Sequence, residues 1–210
     1  MKITITRPQH VKAAGLCQAK EKTRYYLCGI NIERAPQGGL YIVGTNGHVM
    51  SVGYDANGEI EGADSVILKF PDDFLRSIKA TTRNKLAIEN NLACIVTEST
   101  PECKTPTAEL LRLPGPFPKW HSLIPKLQGT QCPGVVATKY LTLVDQIQRC
   151  YHSGRKLRGA RIVGAEDKDP LAARPHIVTL IGVSDWAGAI MSLRVLDTSK
   201  LAVPNWLPAK

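Results

Sequence analysis

GLYIVGTNGHVMSVGY, residues 39–54, holds two β-rich apolar runs, 39–45 and 48–54, separated by Asn46-Gly47. Asn-Gly is a favoured hairpin corner, because both central residues of a type I′ turn need positive φ. A single histidine, His48, stands directly behind that corner. Upstream, RYYLCGINIER (24–34) reads as a third strand, separated from the pair by APQGG. Further upstream KITIT (2–6) alternates as a strand does. Pro8 then suits the first turn of a helix, where its missing N–H is not needed, and that helix runs to about Lys20.

The same order recurs downstream. SVILKF (65–70) is a strand, and Pro71 with Asp72 and Asp73 opens a helix with acids where the helix dipole favours them. Strands follow at 85–90 and 92–99, joined at Asn90-Asn91, with another near 104–111. A third round begins at GVVAT (134–138), where Thr138 can cap a helix over 139–152. Strands over 160–166, 176–183 and 188–195 complete it. The organisation is α+β: three repeated βαβββ units of roughly sixty residues each. Two joints separate them, 54–64 and the Pro-rich stretch 112–134.

The chain of 210 residues carries 27 Lys and Arg against 18 Asp and Glu, a net charge of +9. Such a balance attracts polyanions, nucleic acid first. The helices carry the bias. In the second, Asp72, Arg76, Lys79 and Arg83 share one face, with Phe74, Leu75 and Ile78 on the other. In the third, Lys139, Thr142, Gln146, Arg149 and Ser153 form a stripe ending at Arg155 and Lys156, opposite Leu141, Val144, Ile147 and Tyr151. The first helix contributes Lys12 and Lys20.

No apolar run approaches the ~18–20 residues of a membrane helix. The N-terminus does not read as a signal peptide, so a cytoplasmic protein with no membrane partner is expected. The six cysteines contain no close pair and are expected to be small buried hydrophobes. The five histidines, His10, His48, His121, His152 and His176, form no zinc-binding spacing, and no nucleophile or phosphate-loop motif is present. The expectation is a protein that is not an enzyme, with no catalytic residue, no metal and no cofactor. A hydrolase pairing His48 with Asp55 or Asp185 is the enzymatic alternative.

RYYLCGINIE, VGTNGHVMSV, GPFPKWHSLIPK and KLRGARIVG, in that order and spacing, resemble strings of the bacterial DNA polymerase III β sliding clamp family. The resemblance spans roughly residues 1–195. It implies a DNA-clamp-like fold, with helices on one, DNA-facing side and antiparallel sheets on the other. It matches the second domain and the first half of the third domain of a family subunit. Residues 1–122 would form a complete clamp-like domain, 123–133 a connector, 134–195 a half domain and 196–210 a C-terminal tail. Residues 133–195 would be completed by the same unit of another chain, giving a homo-oligomer, dimer or tetramer.

By the same resemblance, Lys12, Lys20, Arg76, Lys79, Arg83, Lys139, Arg149, Arg155 and Lys156 would meet double-stranded DNA without reading its sequence. Thr45, Gly47, His48, Val49, Met50, Pro118 and Leu123 would line the pocket that takes clamp-binding peptides of polymerases or repair proteins. Val49 and Ser122 stand where the family commonly carries arginine. The tail, with Trp206 and Leu207, could fill the groove as an internal ligand. The implied function is a processivity or tethering factor in DNA replication. The alternative is a shortened homologue that binds partner peptides, as a regulator or decoy of the replication machinery, without encircling DNA.

Overall fold

A computed structural model describes residues 1–79, 84–97, 108–123, 136–152, 159–164 and 174–193, with the side chains of Lys22 and Leu123 left out. Strand β1 (Lys2–Ile5) buries Ile3 and Ile5 completely while Lys2 faces out. Pro8 opens helix α1 (Pro8–Leu16), as expected, but the helix ends before Lys20. The Cys17 and Gln18 N–H groups close back onto Ala14 and Gly15 in tight bonds of 3.0 and 3.3 Å. Ala19 then donates to the Leu27 carbonyl at 2.9 Å, which pulls the chain out of the helix.

Residues 24–28, expected as part of a strand, belong instead to a 3-10 turn over Lys22–Cys28. Tyr25 and Tyr26 have strand propensity, but they meet each other edge to face and Tyr25 stays exposed. The strand proper, β2, is Ile30–Arg34. It pairs with β3 (Leu40–Thr45), which pairs with β4 (Val49–Asp55), in register Ile32↔Ile42 and Ile42↔Gly53. The corner between β3 and β4 is not the expected type I′ turn. Only Gly47 takes positive φ there. Asn46 works through its side chain: Oδ1 accepts the N–H groups of His48 and Val49, each at 2.9 Å. At Asn90-Asn91 both residues do take positive φ.

Next come β5 (Glu59–Glu61), inside the expected joint, and β6 (Ser65–Lys69). Helix α2 (Asp72–Ser77) buries Phe74 and Leu75. Strands β7 (Asn84–Glu89) and β8 (Leu92–Thr97) follow. The single strand expected near 104–111 is two among the described residues, β9 (Ala108–Glu109) and β10 (Leu111–Leu113). The Leu110 N–H donates to the Asn91 carbonyl at 2.7 Å, so the chain steps from one sheet to the other at that residue. After a 3-10 turn (Trp120–Leu123) comes α3 (Thr138–Tyr151).

Thr138 is the first helical residue of α3, not its cap; Ala137 holds the cap position with no side-chain bond. Residues 136 and 137 are not in a strand, and the rest of the expected strand 134–138 lies outside the described residues. Strands β11 (Ala160–Val163), β12 (Pro175–Leu180) and β13 (Val183–Met191) close the order. The chain reverses at Ile181-Gly182, where Gly182 supplies φ of +74°. The segment 184–187, expected as a connection, is therefore strand.

Two sheets result, in the orders β5-β1-β7-β8-β9 and β10-β6-β2-β3-β4-β13-β12-β11. The opening strands are exchanged: β1 joins β7, and β6 joins β2. The larger sheet continues into the third unit, because β13 lies antiparallel on β4 from Trp186↔Gly53 to Ile190↔Val49. Helix α1 packs across β3 and β4 and touches both α2 and α3. Gly44 and Gly53 permit this close approach, since a Cβ on either would collide with Ala14 or with His10.

One core joins α1 and α2 to both sheets around Ile3, Ile32, Leu68, Phe70, Leu86 and Ile88. A second, with Ala13, Cys17, Val144, Ile147 and Trp186, joins α1 to α3 and the third unit. Burying a side chain such as Ile147 completely stabilises by ~1.5–3 kcal/mol. Helix α3 is rotated relative to expectation: Tyr140 is buried and Leu141 is 44% exposed. Burial pushes the Cys150 thiol up to about 11 and that of Cys17 higher still, so both are inert packing groups. Cys94 departs from the expected free thiol, being disulfide-bonded.

Candidate functional site

The corner at 45–50 is pinned from within. Thr45 Oγ1 donates to the Val49 carbonyl at 2.8 Å and accepts the Gly47 N–H at 3.1 Å. From the third unit, the Met191 N–H donates to the His48 carbonyl at 2.9 Å. Val49 and Met50 are buried, while His48 is exposed and stacks on Tyr140 of α3 with ring centroids 6.2 Å apart.

Around this corner five segments enclose an apolar cleft of about 190 Å3. Arg24, Tyr26 and Leu27 come from the 3-10 turn, and Thr45, Gly47, His48, Val49 and Met50 from the corner. Pro118 comes from the segment before Trp120, and Pro175, Ala189 and Met191 from the third unit. The Pro118 segment is anchored by Trp120, whose Nε1 donates to Glu33 at 3.0 Å and whose ring meets Tyr41 edge to face. His121 stacks on Trp120 at 3.7 Å and approaches the same Glu33 carboxylate at 3.3 Å.

Six of the seven residues expected to line a peptide pocket thus meet in one cleft; the Leu123 side chain is not described. Sequence reasoning missed Arg24, Tyr26 and Leu27, hidden in a misread strand. It also missed Pro175, Ala189 and Met191, which arrive through the β4–β13 register.

Beyond Arg24 and His48 lies a second cleft of about 700 Å3. Its walls include Lys20 and Glu21 from the segment after α1, and Lys139, Tyr140 and Thr142 from α3. The Lys139 ammonium sits 4.9 Å from the centre of the Tyr140 ring.

The cations expected on the helix faces divide into three groups, and Lys20 and Lys79 lie beyond the ends of α1 and α2. Lys12 Nζ donates to the carbonyls of Arg76 and Ile78, at 3.3 and 2.6 Å, and so ties α1 to the end of α2. Arg76 pairs with Asp73 at 3.1 Å, and Arg149 with Asp145 at 2.6 Å, both at the surface. Lys20, Lys79 and Lys139 are exposed and form no ion pair among the described residues. Arg83, Arg155 and Lys156 lie outside them.

His48 meets neither carboxylate of the alternative hydrolytic pair. Asp55, at the far end of β4, accepts the backbone N–H groups of Thr6, Arg7 and Asn57 and so fixes the entry to α1. Asp185 belongs to a different cluster. Arg7 reaches it at 2.9 Å, and fully buried His10 lies 3.4 Å away, a long contact rather than a well-formed hydrogen bond. The other nitrogen of His10 meets the Tyr151 hydroxyl at 2.8 Å. Burial raises the Asp185 pKa, but His10 and Arg7 outweigh it and leave the carboxyl below its ordinary value. Burial also pushes the Tyr151 phenol well up. This triad-like grouping links α1, α3 and β13 and lines neither cleft described above. Among the described residues no three His, Cys, Asp or Glu side chains are grouped to hold a metal ion, and no helix is long and apolar enough to cross a membrane.

The paired sheets with a helix row define a DNA-clamp fold, and solved structures bear this out. The chain is similar to a DNA polymerase sliding clamp from Caulobacter crescentus, at 16% identity and a TM-score of 0.60, over 92% of this chain and 65% of that one. It is similar to a sliding clamp from Pseudomonas aeruginosa, at 13% identity and 0.58, over 93% and 66%. A DNA polymerase III β subunit from Thermotoga maritima gives 10% identity and 0.52, over 97% and 68%. The chain spans about two-thirds of the length of these structures. No family model and no curated protein sequence matches it.

Proposed function

We infer that this chain is a non-catalytic, clamp-like tether. It lies along or encircles duplex DNA without reading sequence, and it holds replication or repair proteins by a short hydrophobic segment. The observation that carries this reading is the apolar cleft, assembled from five segments at a seam between units. A pocket of apolar walls with a few fixed polar groups at its rim suits a peptide side chain or two. Val49 forms part of the buried wall where the clamp family commonly has arginine, so the cleft favours apolar anchors.

DNA contact in this reading comes from the helix row and the segments just past it, with Lys20, Lys79 and Lys139 free of ion pairs among the described residues and Arg76 and Arg149 able to exchange their neighbours for phosphate. Such binding falls steeply with salt, because it works by counterion release. Residues 1–122 act as one clamp domain and 134–195 as half of another, in the cytoplasm. Among the described residues strand β11 ends the larger sheet, in the position that β2 would hold had β6 not joined it. A second copy pairing there would complete the half domain, and a clean monomer at micromolar concentration in sedimentation would contradict this.

The test of the tether is retention on nicked circular DNA by Arg76→Glu/Lys79→Glu/Arg149→Glu. Loss of retention supports it; unchanged retention sinks it. One observation favours the second reading, a peptide-binding regulator or decoy of the replication machinery: Lys12, Arg76 and Arg149 are already engaged by protein groups. A pull-down recovering neither clamp nor polymerase peptides would end that reading.

A further inference from the structure

The apolar cleft does not stand alone. Arg24 and His48 form a wall common to it and to the larger, cationic cleft beside α3. The Arg24 guanidinium is held over the corner, its Nη1 close enough that a Cβ on Gly47 would lie 3.2 Å from it. On the far side stand Lys20 and Lys139, with Glu21 the single acid among the lining residues. None of the three cations forms an ion pair among the described residues, and all are exposed. Lys139 is steadied over the Tyr140 ring, and that ring is stacked on His48.

An occupant of the apolar cleft that continues past His48 therefore enters a field of three unneutralised cations. We propose that the partner segment is a peptide with an apolar anchor and an acidic flank, the carboxylates lying over Lys20, Arg24 and Lys139. This rests on the cleft being a peptide dock and adds the chemistry of what docks. A nucleic-acid strand would satisfy the cations but leave the apolar cleft unfilled, whereas an acidic-flanked peptide satisfies both. Lys20 and Lys139 share this cleft with Asn46 and His48 of the corner, and both are also candidates for DNA contact, so peptide and DNA would share them.

The experiment is fluorescence anisotropy with the full chain and three labelled peptides sharing one Leu/Phe core, flanked by three Glu, three Ser or three Lys. The Glu peptide is expected to bind about five- to tenfold tighter than the Ser peptide at low salt, an advantage shrinking with added salt. The Lys peptide should bind weakest. Lys20→Glu/Lys139→Glu should reverse the order without weakening the Ser peptide more than about twofold, since neither residue lines the apolar cleft and exposed charges add little to an apolar contact. Equal affinity for all three would overturn the inference and leave the peptide dock standing. Binding by none would overturn the dock itself. Displacement of bound Glu peptide by a single-stranded oligonucleotide, with no preference among flanks, would assign the cations to nucleic acid and overturn the inference.

Discussion

The cleft at the β3–β4 corner and the helix row are both candidate interaction surfaces, and they are built in opposite ways. The cleft draws residues from five segments of the chain, each fixed by a hydrogen bond or buried contact. The helix row owes its charge to residues placed locally, on a helix or just past its end, and several of those charges are spent nearby: Lys12 on the end of α2, Arg76 on Asp73, Arg149 on Asp145. Disturbing the fold should therefore abolish the cleft, while the row should lose function only when its charges are changed directly.

The largest effect should come from Trp186→Ala. It removes a buried ring from the core between α1 and α3 and breaks the 2.8 Å bond from Nε1 to Ser51 on β4. A loss of ~3–5 kcal/mol is expected in urea unfolding, as for large-to-small core changes. Because Trp186 sits on the strand that brings Ala189 and Met191 to the cleft, peptide affinity should fall with it.

Thr45→Val is a smaller and more local break. It deletes both Oγ1 bonds at the corner and leaves the Gly47 N–H without that acceptor. Stability should drop by ~1–2 kcal/mol. Peptide binding, read by anisotropy, should weaken while DNA retention holds.

Acid sharpens the comparison next. Asp185 has a folded pKa below its unfolded value, so the unfolded chain binds more protons between the two. Its stabilisation is present above the unfolded pKa, ~3.9, and is lost as pH falls through the lower folded value. Urea midpoints measured from pH 7 downward should fall on that acid limb. Asp185→Asn should flatten the limb and lower the midpoint at neutral pH. The smallest effect belongs to the row: Arg149→Ala should cost no more than ~0.3–0.5 kcal/mol, the worth of an exposed i,i+4 pair.

The same contrast explains what was legible in the sequence. The runs around Leu40–Thr45 and Val49–Asp55 showed themselves because strands buried on both faces read as continuous β-rich apolar stretches and Asn-Gly marks a corner, although Asn46 turns the chain through its side chain. Phe74 and Leu75 were readable as an inward face because helical spacing is local, whereas Ile78, also read onto that face, is buried just past the end of α2 in extended backbone. The cleft's corner wall was legible through the family resemblance. Its other walls were not. Tyr25 and Tyr26 look like strand residues, but their segment closes as a 3-10 turn in which Leu27 is buried and its carbonyl accepts the Ala19 N–H. Ala189 and Met191 carry no signal of their own; they reach the cleft because Gly182 reverses the chain and sets β13 against β4. On α3, a shift of one residue exchanged Tyr140 for Leu141 at the interface, a change periodicity alone is too coarse to resolve.

Amide hydrogen exchange on the full chain, with and without an apolar-anchored peptide, tests the central claim most directly. Slowed exchange should appear at 24–27, 45–50 and 189–191 together, with α2 unaffected. Protection confined to the helix row, or none at the corner, would contradict the assignment of this cleft as the docking site.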